Sequence, residues 1–163
     1  MVVILMGASG SGKTTIGKML AERLGWKFLD ADDFHSASNI EKMSRGIPLK
    51  DEDRFPWLEQ LRNEIHKLLE GGTSGVVACS ALKESYRKIL SRKNEPIRFA
   101  YLKGNYDQLQ KHLQSRHGHF MKSDLLESQL QTLQEPEDAI VADISSSPES
   151  IVKTILTRLQ IHQ

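Results

Sequence analysis

The chain has 163 residues, enough for one domain that buries a sizeable core without a disulfide or metal staple. Its 39% hydrophobic and 26% charged residues with a net charge of +1 exclude a polybasic nucleic-acid arm and an acidic tail, so no nucleic-acid partner is expected. No apolar run approaches the ~20 residues that span a bilayer, and Val2–Met6 is too short and lacks the basic flank of a signal-peptide core, so no membrane role is expected. The single cysteine, Cys79, excludes an internal disulfide and points to a reducing, cytoplasmic setting.

In chain order, the first apolar run is Val2–Met6. It is followed by Gly7-Ala8-Ser9-Gly10-Ser11-Gly12-Lys13-Thr14, which fits G-x-x-x-x-G-K-[ST], and then by a helix predicted to open near Lys13 with Ile16, Met19, Leu20 and Leu24 on one face. At average glycine usage the pattern arises by chance in roughly one chain of this length in two hundred. Its placement between a strand and a helix makes it more specific still. Glycines let the backbone turn its N–H groups onto phosphate oxygens, and the helix N-terminus adds its positive end. Residues Gly7 through Thr14, with Thr15, are thus the expected ATP-binding set. Lys13 would neutralise the β and γ phosphates and Thr14 would be a magnesium ligand.

The second run, Lys27–Asp30, leads into Asp30-Ala31-Asp32-Asp33. Ligands gather at the carboxyl ends of strands in an open α/β sheet, so this cluster would face the γ-phosphate. Asp32 is the residue expected to orient the acceptor hydroxyl and, through water, to help hold magnesium. The alternative is a solvated loop of turn-forming aspartates. No Asp follows the apolar part of the third strand, so the acidic element must come from here. GTPase signatures are missing: no Asp stands three positions before any glycine, and there is no N-K-x-D. A small kinase is the better reading.

His35 and Asn39 stand four apart and would share a helical face, available to sugar hydroxyls; a structural histidine is the bland alternative. Asp51 is expected to cap a long helix carrying Trp57, Leu61, Ile65 and Leu68 on one face and closed by Gly71-Gly72. On it Arg54 would either clamp a carboxylate or form a surface ion pair. A third run, Gly75–Ser80, precedes Cys79-Ser80-Ala81-Leu82-Lys83, with Lys83 and Arg87 one turn apart on the next helix. Cys79 reads as a buried small hydrophobe. The fourth run is Ile97–Leu102. Asn105 and Ser123 read as helix caps around the basic, glycine-hinged segment Arg116–Lys122, which would close as a lid and bring Arg116 to the transferred phosphoryl; a basic exposed loop is the alternative. Ala139–Ile144 is the fifth run. Ser147-Pro148 then starts a helix with Ile151, Ile155 and Leu159 aligned.

Strands alternating with helices predict a three-layer α/β sandwich around a five-stranded parallel sheet that carries the P-loop. One domain, 1–163, is expected, with mobile regions near 34–50 on the acceptor side and 116–135 at the lid.

With these residues collected, the chain resembles the gluconokinases of the small P-loop type, relatives of shikimate kinase and the nucleoside monophosphate kinases. The resemblance runs from Leu5 to about Asp143. It rests on Asn39-Ile40-Glu41-Lys42-Met43, Asp51-Glu52-Asp53-Arg54-Phe55-Pro56-Trp57-Leu58, Cys79-Ser80-Ala81-Leu82-Lys83 and Gln129-Leu130-Gln131-Thr132-Leu133-Gln134-Glu135-Pro136 as well as on the phosphate loop. Departures at Ala8, Ala31 and Lys50 touch no proposed catalytic group. The resemblance implies a cytoplasmic and often dimeric enzyme that phosphorylates D-gluconate on its 6-hydroxyl with ATP and Mg²⁺, in carbohydrate acid breakdown. It implies Lys13, Asp32 and Arg116 as catalytic groups. Asp32, His35, Arg54, Lys83, Arg87, His119 and Gln129 would form the acceptor side, and the Ser145–Pro148 turn would flank adenine. A kinase of the same fold acting on shikimate, a nucleotide or another aldonic acid is the alternative.

Overall fold

Five strands lie parallel in one sheet of order β2-β3-β1-β4-β5: β1 (Val2–Met6), β2 (Lys27–Asp30), β3 (Gly75–Ala78), β4 (Ile97–Lys103) and β5 (Ile140–Asp143). This is a computed structural model, and it describes residues 1–115 and 123–160. Among the described residues seven α-helices connect and flank the strands: α1 (Lys13–Leu24), α2 (Ala37–Ser44), α3 (Asp51–Glu70), α4 (Glu84–Leu90), α5 (Tyr106–Gln114), α6 (Ser123–Thr132) and α7 (Pro148–Leu159). The expected α/β sandwich is what forms.

β1 is central and fully buried along its length, which is why it reads as an unbroken apolar run. Successive side chains leave on opposite faces. Val3 and Leu5 join a core with Ile16 and Leu20 of α1 and with Ile151, Ile155 and Leu159 of α7. Val2, Ile4 and Met6 join a second core with Trp57, Leu61 and Ile65 of α3 and with Tyr86 and Leu90 of α4. The edges read differently. β2 is only half-buried, and Val141 of β5 is exposed. The third and fifth runs end earlier as strands than their apolar stretches suggested, at Ala78 and Asp143.

Asn105 caps α5 as expected, its side chain accepting from Gln108 N–H while the Gln108 side chain accepts from Asn105 N–H. Ser147 Oγ caps α7 through Ser150 N–H, with Pro148 in the first turn. The expectation for Asp51 is corrected. Lys50 is the residue before α3, and the Asp53 carboxylate satisfies the Lys50 N–H at 2.9 Å. Asp51 is the first helical residue, and its carboxylate is engaged elsewhere. Region 34–50 contains α2, which Lys42 ties to Asp53 at 2.8 Å. Of the expected lid, residues 116–122 lie outside the described residues, and α6 forms most of what remains. Among the described residues no helix is long and apolar enough to cross a membrane.

Candidate active site

The loop between β1 and α1 curls through three glycines with positive φ, Gly7 at 147°, Gly10 at 87° and Gly12 at 95°. At Gly7 a Cβ would stand 2.8 Å from the Leu102 carbonyl oxygen, and at Gly10 2.6 Å from that of Leu109. Both the turn and the close backbone approach therefore require glycine. The Lys13 ammonium donates to the Gly7 and Ala8 carbonyl oxygens at 2.9 and 3.1 Å, so a cation stands in the mouth of the loop. Ser11 Oγ is buried in the loop and has no hydrogen-bond partner among the described residues. A cradle with a cation at its mouth and an orphaned hydroxyl fits an anionic phosphate chain. Thr15 is exposed one position beyond.

Two distant side chains hold the outer limb of this loop. Gln129 of α6 accepts from Ser9 N–H at 2.8 Å and donates to Ser9 Oγ at 3.1 Å. His112 of α5 donates from Nδ1 to the Gly10 carbonyl at 2.9 Å. Gln129, expected on the acceptor side, therefore sits against the phosphate loop.

Opposite the loop stands the end of β2. Asp30 accepts from the Thr14 hydroxyl at 3.0 Å on one oxygen and from Asp32 N–H at 3.0 Å on the other. It is thus Asp30, which sequence reasoning passed over in favour of Asp32, that meets Thr14. Asp32 lies on a single 3-10 turn (Ala31–Phe34) with 82% of its side-chain surface open to water. Crowding by the surrounding protein and the negative charge of Asp30 push its carboxyl upward, while the Lys13 charge opposes them. Water at the open side moderates all three effects.

His35 follows directly. Its ring stacks on Trp57 with centroids 4.0 Å apart, and Trp57 Nε1 is anchored to the Ala31 carbonyl at 2.7 Å. Burial, and then the Arg54 charge, lower the imidazole to about 4, so it is neutral near pH 7. Asn39 donates to the Asp53 carbonyl at 3.0 Å and stands 3.4 Å from His35 Nδ1. The amide is the donor in that second contact, so the ring proton sits on Nε2, 3.8 Å from Asp32 Oδ1. The four-residue spacing does bring His35 and Asn39 together, although His35 precedes the Ser36 cap of α2. Asn39 is buried and spent on holding His35 rather than open to a ligand.

A cavity of about 540 Å³ is walled by Leu49, the start of α3, Lys83 and Thr132 of α6. Arg54 donates to the Tyr86 hydroxyl at 2.8 Å, and its guanidinium carbon lies 5.4 Å from the ring centroid. The Tyr86 hydroxyl donates in turn to Asp51 Oδ1, which also accepts from Lys83 Nζ at 3.0 Å. Sequence reasoning did not bring Asp51 and Tyr86 together beside Arg54 and Lys83, because nothing local marks a tyrosine 35 residues away as a partner. Arg87 is buried and donates to the Ala81 and Gln134 carbonyls at 2.7 and 2.8 Å, so it braces the Cys79–Ala81 loop. Cys79 is buried and its thiol is pushed up to about 12 by that burial, which removes it as a nucleophile. Arg116 and His119 lie outside the described residues.

A glycine loop feeding a helix with a lysine at its mouth, and a hydroxyl–carboxylate pair beside it, mark a P-loop phosphotransferase. Comparison with known proteins narrows the class. The shikimate kinase family profile matches residues 9–160. The chain is 48% identical to a thermosensitive gluconokinase of Escherichia coli (strain K12), over 82% of this chain and 72% of that one. It is 46% identical to a gluconokinase of Arabidopsis thaliana, over 95% of this chain and 90% of that one. The unliganded crystal structure of a sugar kinase from Janibacter sp. HTCC2649 superposes with a TM-score of 0.90 at 44% identity, covering 98% of this chain and 94% of that one. The chain belongs to the gluconokinase family of P-loop kinases.

Proposed function

We infer that this protein transfers the γ-phosphoryl group of ATP to the 6-hydroxyl of D-gluconate, giving 6-phospho-D-gluconate and ADP. The observation that carries the reading is the glycine loop with the Lys13 ammonium at its mouth and the Asp30 carboxylate on the Thr14 hydroxyl, with Asp32 two residues beyond Asp30. Family membership supports a gluconate acceptor.

Phosphoryl transfer asks for positioning and charge stabilisation more than for covalent chemistry. Loop amides and Lys13 hold the phosphates. Magnesium, if bound, would offset the negative charge that develops on the phosphates; Thr14, Asp30 and Asp32 are the residues that would hold it. Asp32 accepts the hydrogen bond of the 6-hydroxyl and aims its oxygen at phosphorus. Neutral His35 presents Nε2–H to the same hydroxyl region. Arg54 and Lys83 face the acceptor carboxylate, while Arg87 shapes the loop beside it. Gln129 steadies the phosphate loop. Arg116 supplies positive charge to the transferred phosphoryl, and His119 belongs to the acceptor side. We place the enzyme in the cytoplasm as a single domain, 1–163, able to pair as a homodimer.

The test is an acceptor panel with Mg-ATP containing gluconate, shikimate and AMP, read by ADP release. Gluconate should stand well above the others. Preference for shikimate or AMP, or no stimulation by any acceptor, would overturn the assignment.

A further inference from the structure

Lys83, just before α4, and Arg54 on α3 line the 540 Å³ cavity, and both lie against Tyr86 of α4 behind that wall. The Tyr86 hydroxyl and Lys83 Nζ share a single acceptor, Asp51 Oδ1, while Arg54 donates to the Tyr86 oxygen. Tyr86 is otherwise buried, with only 2% of its surface open, so its hydroxyl tip is the part that reaches this group. The Asp51–Lys83 pair is not buried: 45% and 31% of the two side-chain surfaces are open. An exposed pair of this kind is weak and easily exchanged. Asp51 does not cap α3, a task that Asp53 performs through Lys50 N–H. The carboxylate of Asp51 thus favours the α3 N-terminus only by its charge in the first turn, and it occupies donors beside an open cavity.

Resting on the gluconate reading above, we propose that Asp51 is a built-in occupant of the acceptor-carboxylate subsite, displaced when the carboxylate of a sugar acid takes the Tyr86 hydroxyl and Lys83. The exchange is carboxylate for carboxylate, so neither cation loses its counter-charge during binding. A neutral polyol offers nothing to replace Asp51 and leaves the cluster closed. Asp51 is then a specificity-determining residue: it lowers affinity for every acceptor and lowers it most for those without a carboxylate.

Steady-state kinetics of Asp51→Asn with gluconate test this. The amide keeps the side-chain volume but removes the charge that competes for Lys83. KM for gluconate should fall about threefold to tenfold, the range expected for releasing one exposed ion pair plus a charge-assisted hydrogen bond. Tyr86→Phe, which removes a donor that the acceptor needs, should raise KM by about tenfold. Both changes should fall on KM rather than kcat. An unchanged or raised KM in Asp51→Asn, with a circular dichroism melt like that of the unmodified protein, would overturn the proposal and make Asp51 a direct ligand or a prop for Lys83. Asp51→Ser provides the same comparison where the amide variant melts early. An unmodified enzyme that phosphorylates no sugar acid would instead sink the functional reading, before any variant is compared.

Discussion

His35 makes stability depend on pH with a sign and size that follow from its packing. In the unfolded chain the imidazole titrates at the ordinary 6.5; in the fold, burial against Trp57 and the neighbouring Arg54 charge lower it to about 4. Only 4% of its side-chain surface is open, so solvent screens the ring little. The folded state therefore binds fewer protons than the unfolded state throughout that window. Stability is fully present above the unfolded value and is lost as pH falls toward the folded one. Between about pH 7.5 and pH 5 the single group removes about 2 kcal/mol, at 1.36 kcal/mol per pH unit for each proton that the unfolded chain binds in excess. His35→Asn lacks this proton. Carboxylates titrate alike in both proteins, so their difference isolates His35. Urea unfolding at the two pH values should show the unmodified protein losing about 2 kcal/mol more than the variant. Equal losses in both would show that the ring is open to protonation in the fold, and with it would go the neutral Nε2–H donor assigned to the acceptor site. The same argument expects no limb near pH 6.5 from His35 in the kcat/KM profile.

Lys13→Ala should lower kcat by at least ~10²-fold, the scale for losing a principal electrostatic group; near-normal turnover would remove Lys13 from the chemistry. Asp32→Asn should bind ATP normally by calorimetry yet lose transfer, and a variant that transfers normally would exclude Asp32 as the group that orients the acceptor. Away from the site, Arg62 is buried and forked onto Glu95 at 2.8 and 2.7 Å, with a further bond to the Leu90 carbonyl at 3.1 Å. Arg62→Ala strands the Glu95 carboxylate and should cost about 3–5 kcal/mol, seen as a melting temperature lower by roughly 6–20 °C. A drop of under about 2 °C would mean that water replaces the guanidinium without penalty.

The phosphate-binding half of the site was legible because its parts are neighbours in the chain. Gly7 to Thr14 is contiguous, and the strand before it and the helix after it announce themselves by an apolar run and a 3.6-residue stripe. Strand order could not be read the same way, since the burial that makes β1 uniformly apolar says only that it is flanked and not by what. Helix caps were legible where the capping side chain is local, as at Asn105 and Ser147. They failed at Asp51, where a better acceptor for Lys50 N–H stood two residues on and the Asp51 carboxylate had a partner 35 residues away. Pattern reasoning weighs the residues within one turn; the fold weighs every donor within reach of a hydrogen bond.

The acceptor half shows why that difference falls where it does. Sequence marked Arg54, Lys83 and Arg87 alike as cations near a sugar acid, because charge is visible in the letter. What separates them is the direction of their N–H groups. Arg87 is turned inward onto two backbone carbonyls and is buried, whereas Arg54 and Lys83 meet at Tyr86 on an open wall. A buried cation satisfied by main-chain oxygens stabilises a loop and has few donors left for a ligand. A half-exposed cation held by a hydroxyl or by an exchangeable carboxylate keeps its charge available. The phosphate site is thus specified by backbone conformation, which glycine spacing encodes directly. The cation-bearing cavity is specified by which of several equivalent charges the tertiary fold turns toward it, and that choice depends on contacts such as Arg54–Tyr86, spanning 32 residues, that no local pattern contains.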